Sequence, residues 1–347
     1  MKKSRIISLL IVMVFTLVLF AGCQTSAPAA SSAPAASESV ASSAPASSAA
    51  SSEAPAGNKK VKIGIPCDNV VDYMTVVIEG FHMYEKEDAD AELIILDSKQ
   101  DSATQLKNLE NLISQKVDAI VLKLVDGKTA APMIQACKDA KIPVVALTTM
   151  AEGADSFVRT DNTEAGTMQA EAAAKALGNK GNIAIILGDP TYEFTQLRTN
   201  AIKEVVKKYP DMKIVAEQTA NWMRDQAMKV TENWIQSGME IDAILANCDE
   251  EAIGAYLAAE AAGKKYWIAG IDALPTFLQY EKYGKLQWTA WQDAQKQGYT
   301  GVKLAAMLAR GEKVDPIVDV PFVAVPEDKV DEVWAKIKGE GTPIPSP

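Results

Sequence analysis

The chain has 347 residues, with 35 Lys and Arg against 45 Asp and Glu, a formal net charge of −10, and 48% hydrophobic and 6% aromatic side chains. That composition suits a globular core and excludes a collagen-like, wholly disordered or multi-span membrane protein. The acidic balance, with no Lys/Arg run longer than two, argues against nucleic acid as a partner.

Lys2, Lys3 and Arg5 precede an uncharged, apolar run over residues 6–20. That run is short of the ~20 residues a spanning helix needs, so residues 1–22 read as a secretory signal. Ala21-Gly22-Cys23 resembles the lipobox of bacterial lipoproteins, departing from it at Phe20, where an aliphatic residue is commoner. The resemblance implies that Cys23 carries lipid, becomes the mature N-terminus and anchors the protein outside the cytoplasm. An ordinary signal peptide or an uncleaved anchor is the competing reading. Residues 24–58 hold 13 Ala, 11 Ser and 4 Pro, so 28 of 35 positions offer almost nothing to pack. Residues 23–58 are expected to form a disordered tether with a reach of about 30–35 Å. Loss of the three basic leader residues takes the net charge from −10 to −13.

From residue 59 onward, short β-branched runs alternate with helix-period segments. Residues 61–65 read as a strand, followed by a helix over 73–87 with Val76, Val77, Gly80, Phe81 and Tyr84 on one face. A strand over 93–96 leads to Ser102-x-x-Gln105, read as a capping box that opens a helix with Leu106, Leu109, Leu112 and Ile113 inward. Further strands are expected at 119–122, 143–147, 183–187, 213–216, 243–246, 267–270 and 286–291. Nearly all-apolar strands separated by helices predict an α/β fold of parallel sheets covered on both faces. Arg159-Thr160-Asp161-Asn162 breaks the rhythm and marks the boundary between two βα series.

The remaining cysteines, Cys67, Cys137 and Cys248, are far apart and lack a Cys-x-x-Cys spacing; the chain has one histidine, His82. A zinc site of ordinary spacing is not expected, nor is a disulfide framework, and most Ser-His-Asp or Cys-His schemes lack their base. No phosphate-binding G-x-x-x-x-G-K-[ST], no G-x-G-x-x-G and no H-E-x-x-H occurs. The chain is therefore read as having no cofactor and no catalytic residue.

Ligands of open α/β sheets sit beyond the carboxyl ends of the strands, so the residues just past each strand define the candidate site. Those positions hold Cys67, Asp68, Asn69 and Tyr73; then Lys123 to Asp126; then Thr148 and Thr149. The second series contributes Asp189, Tyr192, Phe194, Asn221, Trp222, Asn247, Cys248, Asp249, Asp272 and Trp291 to Asp293. Carboxylates and amides suit vicinal hydroxyls, and flat aromatic faces suit the C–H face of a sugar ring. Asp249, Glu250 and Glu251 would equally serve to cap a helix, and Trp288 and Trp291 to fill the core.

In chain order, these residues resemble the periplasmic sugar-binding proteins of ABC importers, nearest the galactose/glucose- and ribose-binding branch. Tyr73-Met74-Thr75-Val76-Val77, Leu124-Val125-Asp126, Arg198, Trp222 after Thr219-Ala220-Asn221, residues 245–250, Gly270 to Pro275, and Gly284-Lys285-Leu286 with Thr289 and Gln292 carry the match. The resemblance implies two Rossmann-like lobes joined by a three-segment hinge, residues 59–161 plus 293–319 forming one lobe and 162–292 plus 320–347 the other. It implies that Tyr73 and Trp222 sandwich a sugar ring, that Arg198 donates to its oxygens, that Asp272 accepts from two hydroxyls and that Gln292 contributes near the hinge. It also implies a monomer that captures a monosaccharide or polyol and delivers it to a permease and ATPase complex. A receptor for an autoinducer- or nucleoside-type ligand on the same fold, feeding a sensor or chemoreceptor, is the competing function.

Several positions depart from the family pattern. Cys248 and Lys123 each stand where an Asn is usual, Thr148 and Thr149 replace a polar or charged pair, and Phe194 replaces a carboxylate four residues before Arg198. With Tyr192 and Thr149 these residues complete the expected site, and their changes make glucose and galactose poor guesses. Lys123 is expected to pair with Asp126, or else to meet an anionic ligand group.

Overall fold

The computed structural model describes residues 60–347; the expected signal, Cys23 and the tether lie outside the described residues. Among the described residues no helix is long and apolar enough to cross a membrane.

The strands fall into two six-stranded sheets. The first begins with β1 (Val61–Cys67), β2 (Ala91–Asp97), β3 (Ala119–Leu122), β4 (Val144–Leu147) and β5 (Ser156–Arg159). The second takes β6 (Lys180–Leu187), β7 (Asp211–Thr219), β8 (Ala243–Ala246), β9 (Trp267–Ala269) and β10 (Trp288–Trp291). The chain then returns, β11 (Ile317–Asp319) pairing with β5 and β12 (Val323–Pro326) with β10. The orders are β11-β5-β4-β3-β1-β2 and β12-β10-β9-β8-β6-β7. Every pairing is parallel except β10 with β12.

Central strands such as β3, β4 and β8 are buried along their whole length, as a parallel strand covered on both faces must be. The covering helices are α1 (Tyr73–Glu87), α2 (Ser102–Ser114), α3 (Ala130–Ala140), α4 (Asn162–Ala176), α5 (Glu193–Val206), α6 (Arg224–Gln236), α7 (Asp249–Ala261), α8 (Pro275–Lys282), α9 (Ala294–Ala309) and α10 (Val330–Lys338). Helix α9 comes after β10 of the second sheet yet packs on β1, β3, β4 and β5 of the first. The chain thus passes between the sheets after β5, after β10 and between β11 and β12. Helices α1 and α9 meet backbone to backbone: a β-carbon at Gly80 would lie 2.0 Å from the Gln295 carbonyl oxygen, and one at Gly298 would lie 2.1 Å from that of Val77.

Among the described residues, three of the twelve strands are not predicted by the sequence pattern. β5, β11 and β12 are only three or four residues long, and β11 and β12 are sheet edges with mixed burial. Too few alternating or apolar positions exist there to give a signal. The expected capping box is also replaced. Asp101, not Ser102, caps α2, its carboxylate accepting from Thr104 N at 2.7 Å. Gln105 is buried and stitches two strand ends, donating to the carbonyls of Pro66 at 2.9 Å and Lys123 at 2.7 Å and accepting from Val125 N at 2.9 Å. Gln169 repeats this in the second sheet, donating to Ala246 and Ala269 carbonyls at 2.9 and 3.1 Å.

Candidate functional site

The carboxyl ends of both sheets open on one cavity of about 100 Å³. Its first wall carries Asp68 and Asn69 after β1, Asp72 and Tyr73 at the start of α1, Lys123 after β3 and Thr148 after β4. Its second wall carries Tyr192, Phe194 and Arg198 after β6, Trp222 after β7, Cys248 and Glu250 after β8 and Asp272 after β9. Thr160, Asn162 and Gln292, on the segments joining the sheets, lie between. Four of these residues hold left-handed or otherwise positive φ: Asp72 (48°), Thr148 (61°), Trp222 (67°) and Asp272 (133°). Such backbone costs on the order of 1–3 kcal/mol at a non-glycine residue, and its concentration here marks side chains held in place against local preference.

One face is aromatic. Phe194 lies over Trp222 with centroids 5.3 Å apart at 34°, and Tyr192 meets Phe194 at 5.0 Å and Trp222 edge-on at 6.0 Å. The Trp222 backbone N–H donates to buried Glu251 at 2.9 Å, which fixes the turn that presents the indole.

The polar group beside it centres on Arg198 and Asp272. Arg198 is buried between the rings of Phe194 and Phe322, its guanidinium carbon 5.4 and 5.8 Å from their centroids. It donates through Nε to Asn162 Oδ1 at 2.8 Å and through Nη1 to the Asn247 carbonyl at 2.6 Å, and Nη1 stands 3.8 Å from Asp272 Oδ1. The side-chain amide of Gln292 donates to the same Asp272 oxygen. Burial pushes the Asp272 carboxyl up to about 7, while Arg198 and Gln292 pull it back down. Beneath it, fully buried Asp249 holds the Asp272 loop, accepting from Leu274 N and Thr289 Oγ1, both at 2.7 Å. Asp249 therefore supports the site and does not line it. Glu250 forms a two-point ion pair with Arg224 at 2.7 and 2.9 Å.

Two expectations are corrected. Lys123 does not pair with Asp126. Its ammonium is bonded to Asp68, both buried, because β1 and β3 are neighbours and bring their ends together. Asp126 instead caps the turn after β3, accepting from Lys128 N at 2.9 Å. Thr149 lies outside the cavity, and Thr148 lines it instead. The left-handed Thr148 reverses the chain by one residue, with Thr149 N donating to the Leu147 carbonyl at 2.7 Å, and Thr149 faces an adjoining pocket. Tyr73, Lys123, Tyr192, Phe194, Arg198, Trp222, Cys248, Asp272 and Gln292 all line the cavity. Asn162, which orients Arg198, is not among the expected site residues, although it stands in the very break read as a boundary.

His82 is exposed on α1, 2.8 Å from Glu85, and does not line the cavity. Cys67, Cys137 and Cys248 are buried free thiols. Burial pushes Cys67 and Cys137 up to about 12, and Cys248 well above its ordinary value, so none is poised as a nucleophile. Among the described residues no His, Cys, Asp and Glu group could hold a metal ion.

Residues 64–313 match the model of the periplasmic binding protein domain. A putative rhizopine-binding protein of Rhizobium meliloti is 33% identical over 273 residues, which cover 76% of this chain and 88% of that one. A xylitol-binding protein of Mycolicibacterium smegmatis is 33% identical over 285 residues, covering 80% and 81%. Among solved structures, an ABC transporter solute-binding protein of Bacillus halodurans with bound myo-inositol superposes with a TM-score of 0.78 at 37% identity, covering 81% of this chain and 99% of that one. Another, from Actinobacillus succinogenes with bound D-allose, gives 0.73 at 29% identity, covering 79% and 100%.

Proposed function

The chain belongs to the periplasmic binding protein family, and from that premise we propose that it is the extracytoplasmic solute-binding protein of an ABC importer, taking a monosaccharide or a related cyclic or linear polyol. The observation that carries this reading is the joining, in one cavity, of the Tyr192–Phe194–Trp222 aromatic face with the adjacent Arg198–Asp272–Gln292 polar group. An aromatic face packs on C–H groups, and a carboxylate beside a guanidinium accepts and donates to neighbouring hydroxyls. A guanidinium has five N–H donors and a carboxylate about four lone-pair sites; the protein contacts of Arg198 and Asp272 leave several of each for hydroxyls. A relative with bound myo-inositol and a relative named for xylitol support polyols beside aldoses.

The site residues act by binding alone, with no catalytic step. Residues 59–161 plus 293–319 form one lobe and 162–292 plus 320–347 the other. The ligand, held first by one wall, favours the closed form through its added contacts with the second, and the closed monomer presents both lobes to the permease. Lipid on Cys23 and the Ala/Ser/Pro tether keep it beside that permease. Fractionating cells that express Cys23→Ser tests the anchor: the variant is expected in the soluble fraction, and retention in the membrane contradicts it. Calorimetric titration of Asp272→Ala and Trp222→Ala tests the site: both are expected to lose binding while melting cooperatively, and unimpaired binding in both contradicts the assignment.

A further inference from the structure

Buried Gln297, on α9, does not line the cavity, yet it touches two residues that do. Tyr73 Oη lies 2.6 Å from Gln297 Oε1, and Gln297 Nε2 donates to the main-chain carbonyl of Gln292. The orientation of the amide is set by chemistry. A carbonyl only accepts, so Nε2 must face Gln292, which leaves Oε1 to accept from the Tyr73 hydroxyl. The Tyr73 hydroxyl thereby commits its one proton inward, so the residue offers a ligand its ring and an acceptor oxygen but no donor. From Gln292 the side-chain amide continues to Asp272, and Asp272 faces Arg198. The result is an unbroken polar chain, Tyr73–Gln297–Gln292–Asp272–Arg198, from the first wall through the joining segment to the second.

We infer that Gln297 is a positioning residue of the binding site: it sets ligand affinity by holding the Tyr73 ring directly, and the Gln292 side chain through the Gln292 main chain, in the places from which they meet the ligand. The inference rests on the proposed solute-binding role. Removing Gln297 leaves the half-buried Tyr73 hydroxyl and the buried Gln292 carbonyl without this partner. The Gln292 backbone then loses its tether, its side chain shifts against Asp272, and affinity falls although no ligand contact is deleted.

Gln297→Met keeps the volume and removes both hydrogen bonds; Tyr73→Phe removes a single hydroxyl and leaves the packing intact. Calorimetric titration of wild type, both variants and the double variant uses myo-inositol, xylitol, D-ribose and D-allose as probes. Each single variant is expected to bind the responding probe about tenfold more weakly. The double variant should be no weaker than Gln297→Met, since the second change deletes a bond already lost. In parallel, the ¹⁵N side-chain amide signal of Gln292, assigned by its loss in Gln292→Glu, is recorded without ligand. It is expected to move or broaden in Gln297→Met. Affinity within twofold of wild type, additive losses in the double variant, or an unmoved Gln292 signal overturns the role of Gln297. If wild type binds none of the probes, the carbohydrate reading fails separately, and the Gln292 signal still decides whether Gln297 holds that side chain.

Discussion

Gly188 and Trp222 are in such close contact that a β-carbon at position 188 would lie 2.0 Å from Cη2 of the indole. The end of β6 is thus the seat on which the largest cavity-lining ring rests. Gly188→Ala must push the indole off its position over Phe194. The variant is expected to fold and to bind ligand about tenfold more weakly, because a misplaced contact group costs affinity even when its chemistry is retained. Titration beside tryptophan fluorescence checks this. Unchanged affinity and emission would mean that the ring has somewhere else to go.

The bond between Asp68 and Lys123 is buried at both ends, with 2% and 7% of the side chains exposed. Asp68→Asn leaves the ammonium without its counter-charge and is expected to destabilise the protein by about 3–5 kcal/mol, whereas Asp68→Asn with Lys123→Met recovers much of the loss. Urea unfolding measures both. A single variant as stable as wild type would show that Lys123 has another anion. Because Asp68 beside it already balances its charge, Lys123 on the cavity wall draws an anionic solute little, and sugar acids and sugar phosphates are expected to bind more weakly than neutral sugars.

Buried carboxyls give the fold a pH signature, Glu251 and Glu281 among them beside Asp249 and Asp272. Burial pushes Glu251 up to about 8 and Glu281 up to about 9, and neither carboxyl oxygen of Glu281 has a hydrogen-bond partner. A raised carboxyl holds its proton more tightly in the native state than in the unfolded chain. Between about 4.3, where an unfolded Glu titrates, and these values the native state binds more protons, so stability falls as pH rises. The contribution is whole at the acid end of that window and lost through 8 to 9. Melting temperatures measured across it are expected to decline, and Glu281→Gln to flatten part of the decline. A melting temperature that rises with pH contradicts the assignment. Ligand affinity should move the other way: Asp272, pushed up to about 7, accepts hydroxyls best once ionised, so binding tightens as pH rises through that value.

How much of the fold and site was legible in the sequence depends on range. Strands such as β3 and β8 announce themselves because burial on both faces demands an unbroken apolar run. Edge strands β11 and β12 are held by register with distant partners, β11 by the two-point Arg159–Asp319 pair at 2.6 and 2.9 Å, and carry no local pattern. The strand-end rule and the family resemblance led to Tyr73, Arg198, Trp222, Asp272 and Gln292, which line one cavity. What escaped was partnership. Lys123 bonds a residue 55 positions away where one three positions away looked sufficient, and Tyr73 reaches Gln297, 224 positions on. A single left-handed residue, Thr148, was enough to exchange Thr149 for its neighbour.

The most direct test is a thermal-shift panel of pentoses, hexoses, linear polyols, myo-inositol, sugar acids and nucleosides on the mature protein. A ligand present at about 100 times its dissociation constant adds about 2.7 kcal/mol, a rise of several degrees in melting temperature. The account predicts such a rise with at least one neutral sugar or polyol, and its loss in Asp272→Ala. A panel in which no carbohydrate or polyol moves the melting temperature while a nucleoside or an autoinducer does would contradict it.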